Sequence, residues 1–160
     1  NPDIRYFSGT AKYSKKFNLP KGFLSELVAV DLDLGKVRDI ARVRLNGKDM
    51  GNLWYPPYSR EVTEALKEGE NILEVEVANT WFNRLVGDET LPEDAEWKPR
   101  NSNGQLLKSF PDWYMKGEKS PSGRKAFTTF RNWSKDSPLI ESGLFGPVIL
   151  RPSKLSALEL

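Results

Sequence analysis

Residues 45–81 read LNGKDMGNLWYPPYSREVTEALKEGENILEVEVANTW, and their succession of turns and extended runs decides the fold. Asn46-Gly47, between Leu45 and Lys48, is the strongest short hairpin signal in the chain, because both residues tolerate positive φ. Pro56-Pro57 forces an extended or edge path, since proline fixes φ and donates no ladder hydrogen bond. Thr63-Glu-Ala-Leu-Lys-Glu-Gly69 predicts one helical turn, with Thr63 as N-cap and Gly69 as stop. Leu73, Val75 and Val77 then alternate with Glu74 and Glu76, the period of a strand with one face in a core and the other in water.

The same period recurs on both sides of this stretch. Tyr13, Lys15, Phe17 and Leu19 share one face of a first strand, and Val28, Val30, Leu32 and Leu34 one face of a second. Ala41, Val43 and Leu45 alternate with Arg42 and Arg44. Ala126, Thr128 and Phe130 predict a later strand, and Val148 to Leu150 a final one. Short, numerous strands separated by turn residues predict an all-β sandwich or jelly roll, and no segment beyond the single turn shows sustained helical periodicity. From Gly87 to about Gly123 the alternation stops, leaving one long irregular loop. That loop carries Pro92, Pro99, Pro111 and Pro121, but also Trp97, Trp113 and Tyr114, which a flexible linker does not usually hold. It is therefore expected to be ordered, by itself or by a partner. The expected organisation is one sandwich domain over residues 1–152 and a vector-derived tail at 153–160. Asn1-Pro-Asp-Ile, with neither an initiator Met nor a signal peptide, reads as cut from a longer chain.

The bulk chemistry narrows the function classes. The 160 residues are enough for one domain with a sizeable core, and 38% hydrophobic with 29% charged residues suits a globular protein. The net charge of +2 is spread along the chain, with no concentrated basic patch of the kind a nucleic-acid groove or an anionic membrane surface needs. No apolar run approaches the ~20 residues of a membrane span. Cysteine is absent, so disulfides are excluded. Histidine is absent too, which removes Ser-His-Asp and Cys-His catalysis and His/Cys zinc sites and leaves proton chemistry to Asp, Glu, Tyr or Lys.

The order of these elements resembles the sugar-binding β-sandwich domain of glycoside hydrolase family 2. The residues that carry the likeness are Leu45-Asn-Gly-Lys-Asp-Met-Gly51, Pro57-Tyr58, Glu61-Val-Thr-Glu-Ala-Leu66, Gly69-Glu-Asn-Ile-Leu-Glu-Val-Glu-Val77 and Ser142-Gly-Leu-Phe-Gly-Pro-Val148. Tyr6-Phe-Ser-Gly-Thr-Ala-Lys-Tyr13 looks like the opening strand of the same domain. Asn79-Thr-Trp-Phe-Asn-Arg-Leu-Val-Gly-Asp-Glu89 and Asp136-Ser-Pro-Leu139 look closer still to the terminal sandwich of α-L-rhamnosidase-like proteins of family 106. The resemblance implies a galactose-binding-domain-like jelly roll that is not itself catalytic. It implies a catalytic (β/α) barrel in the same parent chain as partner, a carbohydrate substrate containing rhamnose, and a periplasmic or secreted bacterial enzyme. Structural calcium is common in such sandwiches and needs about six to eight oxygens. No dense Asp/Asn/Gly loop stands out, so no cofactor or metal site is assigned.

On this resemblance the segment after the Leu73–Val77 strand faces the barrel, and Trp81, Asn83, Arg84, Asp88 and Glu89 are candidates for sugar or partner contact. Carboxylates and amides hydrogen-bond vicinal hydroxyls. The competing reading packs Trp81 in the core and pairs Arg84 with Asp88 at the surface. Trp97 and Trp113 are either exposed contact residues or a mini-core that holds the loop down. Arg131 beside Trp133 forms a sugar-binding corner or a cation–π stack. Trp54, Tyr55 and Tyr58 stack on sugar, or pack in the sandwich or a seam. Glu89, Glu93, Asp94 and Glu96 could hold a glycosidase pair only at about 5–5.5 Å or ~6.5–9.5 Å in a pocket that raises one pKa, and loop carboxylates are far more often solvated.

Overall fold

The computed structural model describes residues 1–24 and 28–154. In chain order these form α1 (Pro2–Arg5), β1 (Thr10–Leu19), β2 (Val28–Asp33), β3 (Lys36–Arg38), β4 (Ile40–Leu45), β5 (Lys48–Leu53), β6 (Ser59–Glu61) and β7 (Gly69–Ala78). There follow α2 (Phe82–Asp88), β8 (Gln105–Leu106), α3 (Asp112–Met115), β9 (Phe130–Arg131), β10 (Gly143–Gly146) and β11 (Ile149–Lys154). The chain divides into two compact units, residues 9–79 with 141–160 and residues 1–8 with 80–140.

The first unit is an all-β sandwich. Its antiparallel sheets run β1-β7-β4-β5, β11-β2-β6 and β10-β3. The register places inward residues opposite each other: Ala41 faces Val77, Val43 faces Val75 and Leu45 faces Leu73. These six are at most 8% exposed, and Val30, Leu32 and Leu34 of the β2 segment join them in one core cluster. Val28 pairs with Lys154, and its side chain lies outside the description.

Asn46 sits at φ 53° and Gly47 at φ 82°, as a two-residue hairpin with matching twist requires. Asn46 does more than turn the chain. Its amide nitrogen donates to Ala65 O and Asn71 Oδ1, both at 2.8 Å, and its Oδ1 accepts from Ile72 N at 2.9 Å. Asn71 is fully buried yet saturated, because it also accepts from Lys67 N and donates to Lys67 O and Gly69 O.

Four expectations change. Thr63 is not an N-cap: it lies inside a short 3-10 turn (Thr63–Ala65) capped by Val62, and its hydroxyl accepts from Val30 N at 2.9 Å. Gly69 does not stop that turn but opens β7, at φ +79°. The inward face expected of β1 is only partly buried, since Leu19 is buried while Tyr13 is 38% exposed and Lys15 is exposed. β1 is a sheet edge, and beside it lies an apolar slot of about 530 Å³ lined by Tyr13, Phe17, Leu144 and Leu150 among others. The Ala126–Phe130 strand reduces to Phe130–Arg131, because Lys125 N and Ala126 N donate to a carboxylate and Thr128 Oγ1 donates to Phe130 O.

The final strand begins at Ile149 and runs through Ser153 and Lys154, paired with Ala29 and Val28. The rest of the expected tail, 155–160, lies outside the described residues. Trp54 and Tyr55 are 67% and 59% exposed and meet edge to face at 4.8 Å, so neither packs in the sandwich. Tyr58 packs against the core, and its hydroxyl donates to Asp39 O at 3.1 Å.

Candidate functional site

All eight candidate residues fall in the second unit, 1–8 with 80–140, and the structure gives them different work. Trp81 precedes α2 without a capping side chain and is 62% exposed. Two residues on, Asn83 is 5% exposed and exchanges hydrogen bonds with Ile140: its amide donates to Ile140 O and its Oδ1 accepts from Ile140 N, both at 2.9 Å. An amide used in this way imitates a strand partner.

Asp88 closes α2 and is 2% exposed. Its Oδ2 accepts from Lys125 N at 2.9 Å and Ala126 N at 2.8 Å, and its Oδ1 stands 3.1 Å from Arg84 Nε. That contact is an ion pair at i,i+4 without an aligned hydrogen bond, since neither atom has a hydrogen-bond partner. Both side chains are largely buried, so the expected pair exists but not at the surface. The Arg84 guanidinium also lies 5.7 Å from the centre of the Tyr6 ring. Gly87 lets this layer close, because a Cβ there would stand 2.5 Å from Tyr6 Cγ and 2.6 Å from Arg84 Nη2.

Glu89 joins two arginines, accepting from Arg124 Nη1 at 3.1 Å and Arg131 Nη1 at 2.9 Å. Arg131 is 8% exposed; it also donates to Glu93 Oε1 at 2.7 Å and Gln105 Oε1 at 3.0 Å, and its guanidinium lies 4.3 Å from the centre of the Trp97 ring. The cation–π partner is therefore Trp97, not the adjacent Trp133. Trp97 Nε1 donates to Glu93 Oε2 at 3.0 Å. Arg124 donates to the carbonyls of Leu91 and Pro92 and stands 3.5 Å from Asp94, which also accepts from Ser120 and Ser122. Trp113 donates to Asp94 O at 2.8 Å and meets Phe127 edge-on at 5.5 Å, while Tyr114 stacks on Phe127 at 4.1 Å. The loop aromatics thus form a mini-core laced with ion pairs.

Every carboxylate of the candidate glycosidase set faces a cation: Glu89 and Glu93 face Arg131, Asp94 faces Arg124, and Glu96 faces Lys108 at 2.8 Å. The Lys108 hydrogen bond holds the Glu96 carboxyl below the usual range, and Glu96 raises Lys108 in return. Among the described residues no group of three or more acidic side chains could hold a metal ion. Arg124 and Gln105 escape a reading of local sequence. Their pairing distances of 26 and 35 residues leave no periodic trace.

The model of the glycosyl hydrolase 2 galactose-binding domain-like family matches residues 3–136. The chain belongs to that family. A Formosa agariphila protein named "Putative beta-glucuronidase" is 49% identical to this galactose-binding-like domain over 148 residues, covering 92% of the domain and 12% of the relative. The rhamnosidase from Novosphingobium sp. PP1Y superposes with a TM-score of 0.70 at 34% identity, covering 96% of the domain and 12% of the rhamnosidase. The domain therefore spans about one-eighth of the length of these two proteins.

Proposed function

We propose that this domain is an accessory, non-catalytic part of a longer, rhamnosidase-like glycoside hydrolase, where it braces the catalytic barrel and lends one aromatic side chain to the rim of the sugar pocket. The observation that carries this reading is the match of nearly the whole chain to 12% of a rhamnosidase at a TM-score of 0.70. The second unit supports it. Asn83, Arg84, Asp88, Glu89 and Arg131 are committed to internal partners, so they hold a frame instead of touching a ligand. Trp81 is the candidate left exposed, and its ring offers an apolar face with a polar edge for a sugar.

The 49% identity to a protein named as a β-glucuronidase favours a second substrate reading, in which the parent enzyme cleaves glucuronides. Both are tested together. The longer encoded protein, with and without residues 1–154, is assayed on aryl α-L-rhamnoside and aryl β-glucuronide. The reading requires hydrolysis of one substrate that falls on deletion; unchanged turnover after deletion overturns it. Trp81→Ala is expected to raise KM by a few-fold with kcat nearly unchanged, as for a lost uniform binding contact.

A further inference from the structure

Beside the loop mini-core lies an open cleft of about 310 Å³, lined by Lys98, Leu106, Leu107, Lys108, Ser109, Phe110 and Thr129. Neither Arg124 nor Arg131 of the buried ion-pair network lines it. Phe110 is 51% exposed, yet its ring is fixed from behind, stacked on Tyr114 at 5.6 Å and tilted against Phe127 at 6.2 Å. Leu106, 52% exposed, extends the apolar wall. The polar contribution is cationic. The Lys108 ammonium is paired with Glu96 at 2.8 Å, whereas that of Lys98 has no acceptor among the described residues. Ser109 and Thr129 add hydroxyls to the same wall.

A concave site with one immobilised ring face, a few hydroxyls and an uncompensated ammonium suits a ligand that is apolar on one face, rich in hydroxyls and negatively charged. We propose that this cleft binds a sugar ring bearing an anionic group, a carboxylate or a sulfate, with the ring on Phe110 and the anion at Lys98. Charge complementarity selects this occupant. A neutral sugar leaves Lys98 uncompensated, and a covering segment of protein would have to bring its own acid to Lys98.

The test is an NMR titration of the isotopically labelled chain with methyl glucuronide, a glucose sulfate and methyl glucoside. Binding of the glucuronide, the sulfate or both is expected to shift the amides of Lys98, Ser109 and Phe110, with the glucoside about ten-fold weaker. The two acidic arms separate a carboxylate source from a sulfate source. Lys98→Met is expected to remove the preference for the acidic sugar while Lys98→Arg retains it, and Phe110→Leu weakens all arms. Equal response to acidic and neutral sugars overturns the proposal, as do shifts untouched by Lys98→Met. So does silence at about 20 mM sugar, which would leave the cleft to a protein segment. None of these outcomes bears on the deletion assay, so this proposal and the accessory role fail separately.

Discussion

At the scale of single residues, Asp88 carries the most structural weight for its size. Its carboxylate fixes the ends of two backbone amides and neutralises a buried arginine while being 2% exposed. Removing one partner of such a set leaves the others desolvated and unpaired, which costs far more than the net worth of the pair. Asp88→Ala is therefore expected to lower stability by about 3 kcal/mol, read from the urea midpoint at constant m. Asp88→Asn, which keeps one acceptor oxygen, should lose less, and equal loss in the two variants would sink the argument. An exposed carboxylate behaves differently. Glu96 has its pKa lowered by the hydrogen bond from Lys108, so its contribution is present above the unfolded value of about 4.3 and is lost as pH falls through the lower folded value. Carboxyl NMR should place its midpoint below about 4.3, and Lys108→Met should return it there.

At the scale of elements, legibility follows the origin of each element's stability. The strands of the 9–79 unit were readable because period-two alternation records burial directly, and β4 and β7 bury the valines and leucines that alternate in the sequence. Helix α2 was not readable. It has seven residues, no capping side chain at Trp81 and a glycine inside, so local propensity argues against it. Groups distant in sequence hold it: the Ile140 backbone on Asn83, the Tyr6 ring on Arg84, and the 125–126 backbone on Asp88. The site residues were legible as types and not as roles, because Arg131 and Glu89 meet across 42 residues and Asn83 and Ile140 across 57. Gly87 tests the account of α2. Alanine has the better helix propensity, but its Cβ would overlap Tyr6 and Arg84. If packing rules, Gly87→Ala destabilises by about 1–3 kcal/mol; if propensity rules, it stabilises by up to about 1. The sign of the change in thermal midpoint decides between them.

At the scale of the whole molecule, the chain joins two ways of making a compact unit. The 9–79 and 141–160 unit has a hydrocarbon core between sheets. The unit of residues 1–8 and 80–140 has little regular structure, and inward-pointing ions do much of the work that strands do elsewhere. Such a network is fragile to the loss of one member, because the remaining charges are already out of water. Arg131 is a member that also stacks on an aromatic ring, reaching Glu89, Glu93, Gln105 and Trp97 at once. Arg131→Met keeps the volume and the contact with Trp97 and deletes only the charge and its donors. Local opening of the 80–140 segment should then become easier by about 2–3 kcal/mol, which is roughly a 30- to 150-fold faster cleavage where opening is rapid compared with proteolysis. Limited digestion with chymotrypsin, followed by mass spectrometry, reads this at Trp97, Trp113 and Tyr114. Cleavage there should accelerate in Arg131→Met, while cutting within the 9–79 strands stays at its original rate. If the loop sites are cut equally fast in both proteins, ring packing around Phe127 and not the arginine network is what orders this segment.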